Sequence, residues 1–148
     1  MDLYATTHQT PAGTNLTILE IVAPGTTRRG RICEFGVSSD STPADVATEF
    51  QIIRGTVSGT GTARTGRLMD PASPPAVLLP EGGTFATQTK TADSDLWEKA
   101  LNQRASYRWV SQPKGEMLVP AVADNWVGLE SIASGGTPNI NSYFHWWE

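Results

Sequence analysis

The sequence predicts an all-β protein, a single antiparallel sandwich or barrel of the jelly-roll or β-tulip kind, with at most one short helix. Three observations carry that expectation. Short runs rich in β-branched and aromatic residues recur along the chain, separated by Gly, Pro, Ser and Asp clusters. Within several runs apolar and polar residues alternate, which is the period of a half-buried strand. Strands do not alternate with long helical patterns, so a parallel α/β architecture is not expected. The 148 residues suffice for one domain with a sizeable core.

Met1 to Gly13 is polar and is expected to be a flexible N-terminal arm, leaving 14–148 as the β-rich domain. Leu16 to Val22 reads as a strand with Leu16, Ile18 and Glu20 on one face, and Pro24-Gly25 ends it. Past Arg28 and Arg29, Arg31 to Ser38 sets Cys33, Phe35 and Val37 against Ile32, Glu34 and Gly36. Ser38 to Asp45 is a loop of residues that hydrogen-bond their own backbone. Thr48 to Thr56 is a third strand, with Phe50 and Ile52 opposed to Glu49, Gln51 and Ile53.

Gly55 to Gly66 reads as a flexible segment or hairpin tip. Pro71 to Pro80 reads as an extended surface crossing, because its four prolines remove ladder donors. Thr84 to Thr91 is a further strand candidate. Asp93 to Arg104 places Leu96, Trp97, Ala100 and Leu101 at helical spacing behind a cap at Asp93 or Ser94. That leaves a short helix open there, against β-rich flanks. Leu101 to Pro120 holds two β-rich runs around Gln112-Pro113-Lys114-Gly115, and reads as a hairpin or tight β-arch. Trp126 to Ile132 and Ser142 to Trp147 complete about eight strands.

Chemistry-bearing constellations are scarce. His8 and His145 stand at opposite ends of the chain with no further ligand at metal spacing, so no metal and no cofactor is expected. His8 reads as a solvated arm residue and His145 as a packed aromatic-strand residue. Cys33 is the only cysteine, which rules out an internal disulfide; on the Phe35 face it reads as a buried, inert thiol. The Gly-rich segment lacks the Gly-Lys-Ser/Thr ending of a phosphate loop. The pairs Asp40 with Asp45 and Asp93 with Asp95 sit in turn-like sequence and read as capping residues. No Gly-x-Ser-x-Gly nucleophile motif occurs, and no enzyme is expected.

Lys and Arg total 11 against 15 Asp and Glu, a net charge of −4, which disfavours nucleic acid as the main partner. No apolar run has the length of a membrane span and no signal-peptide pattern opens the chain, so a soluble protein made in the cytoplasm is expected. Tyr143, Phe144, Trp146 and Trp147 put aromatics on both faces of the last strand. They fit either burial on both sides or a patch facing a partner.

The motifs Ser41-Thr-Pro-Ala-Asp45, Met69-Asp-Pro-Ala72, Leu101-Asn-Gln-Arg-Ala-Ser-Tyr-Arg-Trp-Val110, Pro113-Lys-Gly-Glu116 and the aromatic run ending at Glu148 carry a resemblance. From about Ser38 onward the chain resembles the head decoration, or cement, proteins of tailed bacteriophages. The resemblance implies a homotrimer bound to the major capsid protein on the outside of an assembled head, at local three-fold positions. It makes Arg28, Arg29, Arg31, Arg104, Arg108, Tyr143, Phe144, Trp146 and Trp147 candidates for capsid or subunit contacts. Arg104 and Arg108 have the alternative of an internal salt bridge or stacking on Trp109 or Tyr107. Two other roles stay open. One is a tail or head-to-tail connector component. The other is a carbohydrate-binding sandwich module using Trp126, Trp146 or Trp147 as a stacking platform.

Overall fold

A computed structural model describes residues 1–40 and 42–148, and its architecture is a long antiparallel hairpin rolled into two facing sheets. The first arm of that hairpin is β1 (Leu3–Pro11), β2 (Leu16–Val22), β3 (Gly30–Asp40) and β4 (Ala47–Val57). The returning arm is β9 (Trp97–Asn102), β10 (Ser106–Val110), β11 (Met117–Val119), β12 (Trp126–Ser134) and β13 (Asn139–Trp147). Pairing follows the rolled hairpin: β1 with β13, β2 with β12, β3 with β10 and β11, β4 with β9. Successive strands of each arm then alternate between sheets, which is the jelly-roll winding. The hairpin tip carries an insertion with β5 (Thr60–Ala63), β6 (Arg67–Leu68), β7 (Leu79–Ala86) and β8 (Thr89–Lys90).

The first sheet runs β10-β3-β13-β1-β6, and the second β5-β7-β2-β12-β4-β8 with β9 also on β4. Both keep open edges, so of the two expected forms the sandwich is the one adopted. Between the sheets lies one apolar core that includes Phe35, Ile52, Leu129, Phe144 and Trp146, all fully buried. A smaller cluster of Val22, Ile53 and Trp126 sits apart from it. Its members alternate with core residues along β2, β4 and β12, which puts them on the outer face of the second sheet.

Four expectations are corrected. The N-terminal segment is not a loose arm: Leu3 to Pro11 pairs along its whole length with β13. Alternate residues Tyr4, Thr6, His8 and Thr10 are buried there, a polar version of the strand period that hydrophobicity alone does not reveal. Asp93 to Arg104 contains no helix; six of its residues form β9, because the long partner β4 satisfies their backbone and overrides helical spacing.

The third correction concerns the stretch around Gln112 to Gly115. Strands β10 and β11 do not pair with each other. Both lie on β3 in the same direction, Val110 opposite Glu34 and Met117 opposite Ile32, so the turn residues are an excursion from one interrupted edge strand. Fourth, Gly55 to Gly66 does not form a local hairpin with β4. The chain leaves β4 next to β8 and forms β5 beside β7, on the far side of the second sheet.

Register breaks explain where strict alternation misleads. His145 faces Glu34 while Trp146 faces Ile32, so Cys33 is the extra residue of a β-bulge. Ile32, Phe35 and Val37 therefore all reach the core, and Cys33 is only half-buried, its thiol donating to the His145 carbonyl at 3.4 Å. A second break opposite Leu129 and Glu130 lets Ile18 and Leu19 both reach the core. Glu20 then lies off that face. In the expected loop after β3, Ser41 lies outside the described residues.

Candidate functional site

The two sheets treat their outer faces differently, and that difference locates the surface available for function. On the second sheet the segment from Thr87 to Thr91 crosses the outer face and buries it. Gln88 accepts from the Thr17 hydroxyl at 2.7 Å and donates to Glu20 at 2.5 Å. Lys90 forms a salt bridge with Glu130 and donates to the Asn15 carbonyl at 3.0 Å. Gln51 donates to the other Glu130 oxygen at 2.7 Å. Glu20 is fully buried and stands directly opposite Glu81 across the β2–β7 ladder. Burial, and secondarily the Glu81 charge, push its carboxyl up to about 9, so at neutral pH it is a protonated acid.

On the first sheet the outer face is open. Its four main strands bring three rungs into register. Tyr107, Val37, Ser142 and His8 form the middle rung. Flanking it are the rungs Arg108, Gly36, Tyr143, Thr7 and Ser106, Ser38, Asn141, Gln9, whose side chains alternate to the opposite face. A groove of about 770 Å³ lies across the strands here, with Arg64 at its β1 end. Gly36 lets the Tyr143 ring lie close over this floor, since a Cβ there would lie 2.2 Å from that ring.

One carboxylate fixes the wall. Glu34 accepts two hydrogen bonds from Arg108, at 2.7 and 2.8 Å, and one from the Tyr143 hydroxyl at 2.7 Å. His145 Nδ1 is 3.8 Å from its other oxygen. The Arg108 hydrogen bonds are the main reason its carboxyl is pulled down to about 2. Tyr143 is pushed up to about 12, by burial first and by Glu34 second. The Tyr143 ring is thereby held across Gly36 as a neutral phenol.

The candidate residues fall into separate places. Arg28 and Arg29 are exposed in the loop before β3, and Arg31 is exposed on β3 opposite the half-buried Trp147. Among the described residues none of these three forms a salt bridge. They lie at the end of the first sheet away from the groove, about 17 Å along β3 at ~3.4 Å per residue. Arg104 is exposed in the turn between β9 and β10. Arg108 is committed to Glu34, the internal salt bridge that was its alternative. Phe144 and Trp146 are fully buried core residues and offer no surface.

Trp126 is likewise fully buried, its indole N–H donating to the Val57 carbonyl at 2.9 Å. Trp126 and Trp146 are therefore excluded as stacking platforms. His8 is buried against Gly82, and burial followed by the Arg64 charge lowers its pKa to about 4. It is a neutral packing residue rather than a solvated one.

Sequence reasoning missed the groove because Gly36, Ser38, Ser106, Asn141 and Gln9 are far apart in the chain and chemically plain. Only the polar outward positions of β13 hinted at it. It also missed a half-buried aromatic group at the sheet edges. Trp97 of β9 stacks on Tyr107 of β10 at 5.1 Å, and Trp109 stacks on Phe35 at 5.4 Å. Lys99 sits 4.6 Å from the Tyr107 ring centre. No family model matches this chain, and no curated protein matches it closely enough to count as a relative. The fold and surface define a jelly-roll sandwich with one covered and one open outer face.

Proposed function

We propose that this protein is a capsid decoration protein that binds the outside of an assembled phage head and stabilises its lattice, as a trimer at local three-fold positions. The observation that carries the reading is the group Arg28, Arg29 and Arg31, with Arg31 opposite Trp147, exposed cations with no salt bridge among the described residues. Guanidinium groups next to an aromatic side chain suit docking on an acidic protein surface, because the planar fork pairs carboxylates in a bidentate way. The motif resemblance supports the same reading.

A closed ring of three needs a surface that meets a different surface of its neighbour. The open edges β9 and β10 suit one side of such a contact, with unpaired strand backbone and the half-buried Trp97 and Trp109. Binding to the lattice would stabilise both partners by mass action.

The test mixes purified protein with phage heads stripped of it and measures co-sedimentation and thermal release of DNA. Wild type is expected to bind and to raise the release temperature. The triple variant Arg28→Glu, Arg29→Glu, Arg31→Glu is expected to stay folded and lose binding. Failure of the wild type to bind, or unchanged particle stability, overturns the proposal.

A further inference from the structure

We infer that the groove across the first sheet is a saccharide-binding site, occupied by a short oligosaccharide lying across β10, β3, β13 and β1. This inference does not rest on the capsid reading, because it uses the opposite end of the sheet and none of the same arginines.

The argument begins with the lining. The side chains that wall the groove are hydroxyls and carboxamides, from Thr7, Ser38, Ser106, Gln9 and Asn141, around one aromatic ring, Tyr143. Such a set offers paired donors and acceptors at short spacing beside the Tyr143 ring. An apolar ligand would leave those groups unsatisfied, which is unfavourable for each polar group stranded without water. A polyhydroxylated ligand matches them, directly or through bridging water.

The charge pattern narrows the class further. Arg108 is neutralised by Glu34 in a bidentate pair, and His8 is neutral. Arg64 is the remaining cation of the lining and stands at one end. A polyanion needs cations along its length, so one terminal arginine argues against a nucleic acid strand. It leaves room for a neutral sugar chain, or for one with a single carboxylate at that end.

Tyr143 supplies the orienting element. Its ring lies over Gly36 and its hydroxyl is tied to Glu34, so two contacts hold it before any ligand arrives. A ring fixed in this way presents a flat apolar face to the C–H face of a pyranose at little entropic cost. The volume, about 770 Å³, lies in the usual range for ligand sites. Three inter-strand steps of about 4.8 Å make the span roughly 14 Å, suited to a short oligomer rather than one ring. The double-sheet fold itself carries no weight in this argument, since such folds serve unrelated functions.

The experiment screens purified full-length protein on an array of neutral glucan, mannan, galactan and N-acetylglucosamine hexasaccharides, with hexasaccharides carrying one terminal uronic acid as a second arm. Hits are then titrated by calorimetry. At least one class is expected to bind in the micromolar to low millimolar range. Tyr143→Ala and Asn141→Ala should each weaken it at least tenfold, while Tyr143→Phe, which keeps the ring, should stay within threefold to fivefold. Arg64→Ala should weaken only uronic-acid binding, if that arm is the one that binds. The Arg28, Arg29 and Arg31 variants should leave binding unchanged.

Absence of binding on every array member by folded wild type overturns the inference. So does binding that the Tyr143 and Asn141 variants leave intact. A third overturning result is light scattering that shows an oligomer broken by Tyr143→Ala, because a second copy would then occupy the groove.

Discussion

The outer face of the second sheet and the outer face of the first are built on equivalent strands, yet one is a second interior and the other a surface. On the second, Glu20, Thr17, Glu130 and Trp126 are almost completely buried under the hairpin-tip insertion. On the first, Arg108 keeps 66% of its side-chain exposure although it makes the strongest ion pair of that face. The insertion between β4 and β9 accounts for the difference. It crosses one face, satisfies that face's polar groups through Gln88 and Lys90, and leaves the other to solvent. A face that is covered reports on stability, and one that is open reports on binding.

The sharpest break of that contrast is Trp126→Ala. Removing a fully buried indole on a face that alternation alone would leave wet should cost about 3–5 kcal/mol in chemical denaturation. A loss below about 1 kcal/mol would mean that the cover is loose. Next comes pH. The folded-state pKa of Glu20 is raised from 4.5 to about 9. Its stabilising contribution is therefore complete below pH 4.5 and is lost as pH rises toward 9. Wild type should lose on the order of 2 kcal/mol between pH 7 and pH 9, under the ceiling of about 1.4 kcal/mol per pH unit for one site. That window lies above the range in which the lowered pKa of His8 acts with the opposite sign. Glu20→Gln, whose amide cannot ionise, should flatten that slope; equal slopes would remove Glu20 as the cause.

Two glycines sharpen the comparison, since a Cβ at either would lie 2.2 Å from an aromatic ring. At Gly55 the obstacle is the buried Trp126 ring together with the Thr89 carbonyl oxygen. At Gly36 it is Tyr143, on the open face. Gly55→Ala should cost about 2–3 kcal/mol, and Gly36→Ala less than about 1 kcal/mol, because Tyr143 can swing toward solvent. Matched melting curves for the two variants decide this. The smallest effect on stability is that of Arg108→Ala, because solvent screens so exposed a pair. The same substitution should raise the Glu34 pKa from about 2 toward the usual carboxylate range, measurable by NMR titration.

Much of this fold was legible in the chain. The runs at Leu16, Arg31, Thr48, Trp126 and Ser142 announce themselves by β-branched and aromatic composition, and each became a strand. Strand β1 was hidden because three of its four buried positions are Thr and His, whose burial depends on close packing that composition does not record. β9 was hidden because six residues carry helical and strand spacing about equally until a partner is present. The candidate surface was less legible still. Arg28, Arg29 and Arg31 stand close together in the chain and could be named, whereas the groove exists only where four distant strands come into register.

The sequence by itself determined the all-β class, the single-domain scale and most strand positions, because period-two patterning and turn chemistry act over a few residues. Tertiary structure alone decided which strands pair, where the bulge at Cys33 turns its strand over, and which outer face is covered. Those choices depend on contacts between residues up to about the full chain apart, such as Leu3 opposite Trp147. No local signal contains such contacts, because the free energy that selects them exists only once both partners are packed.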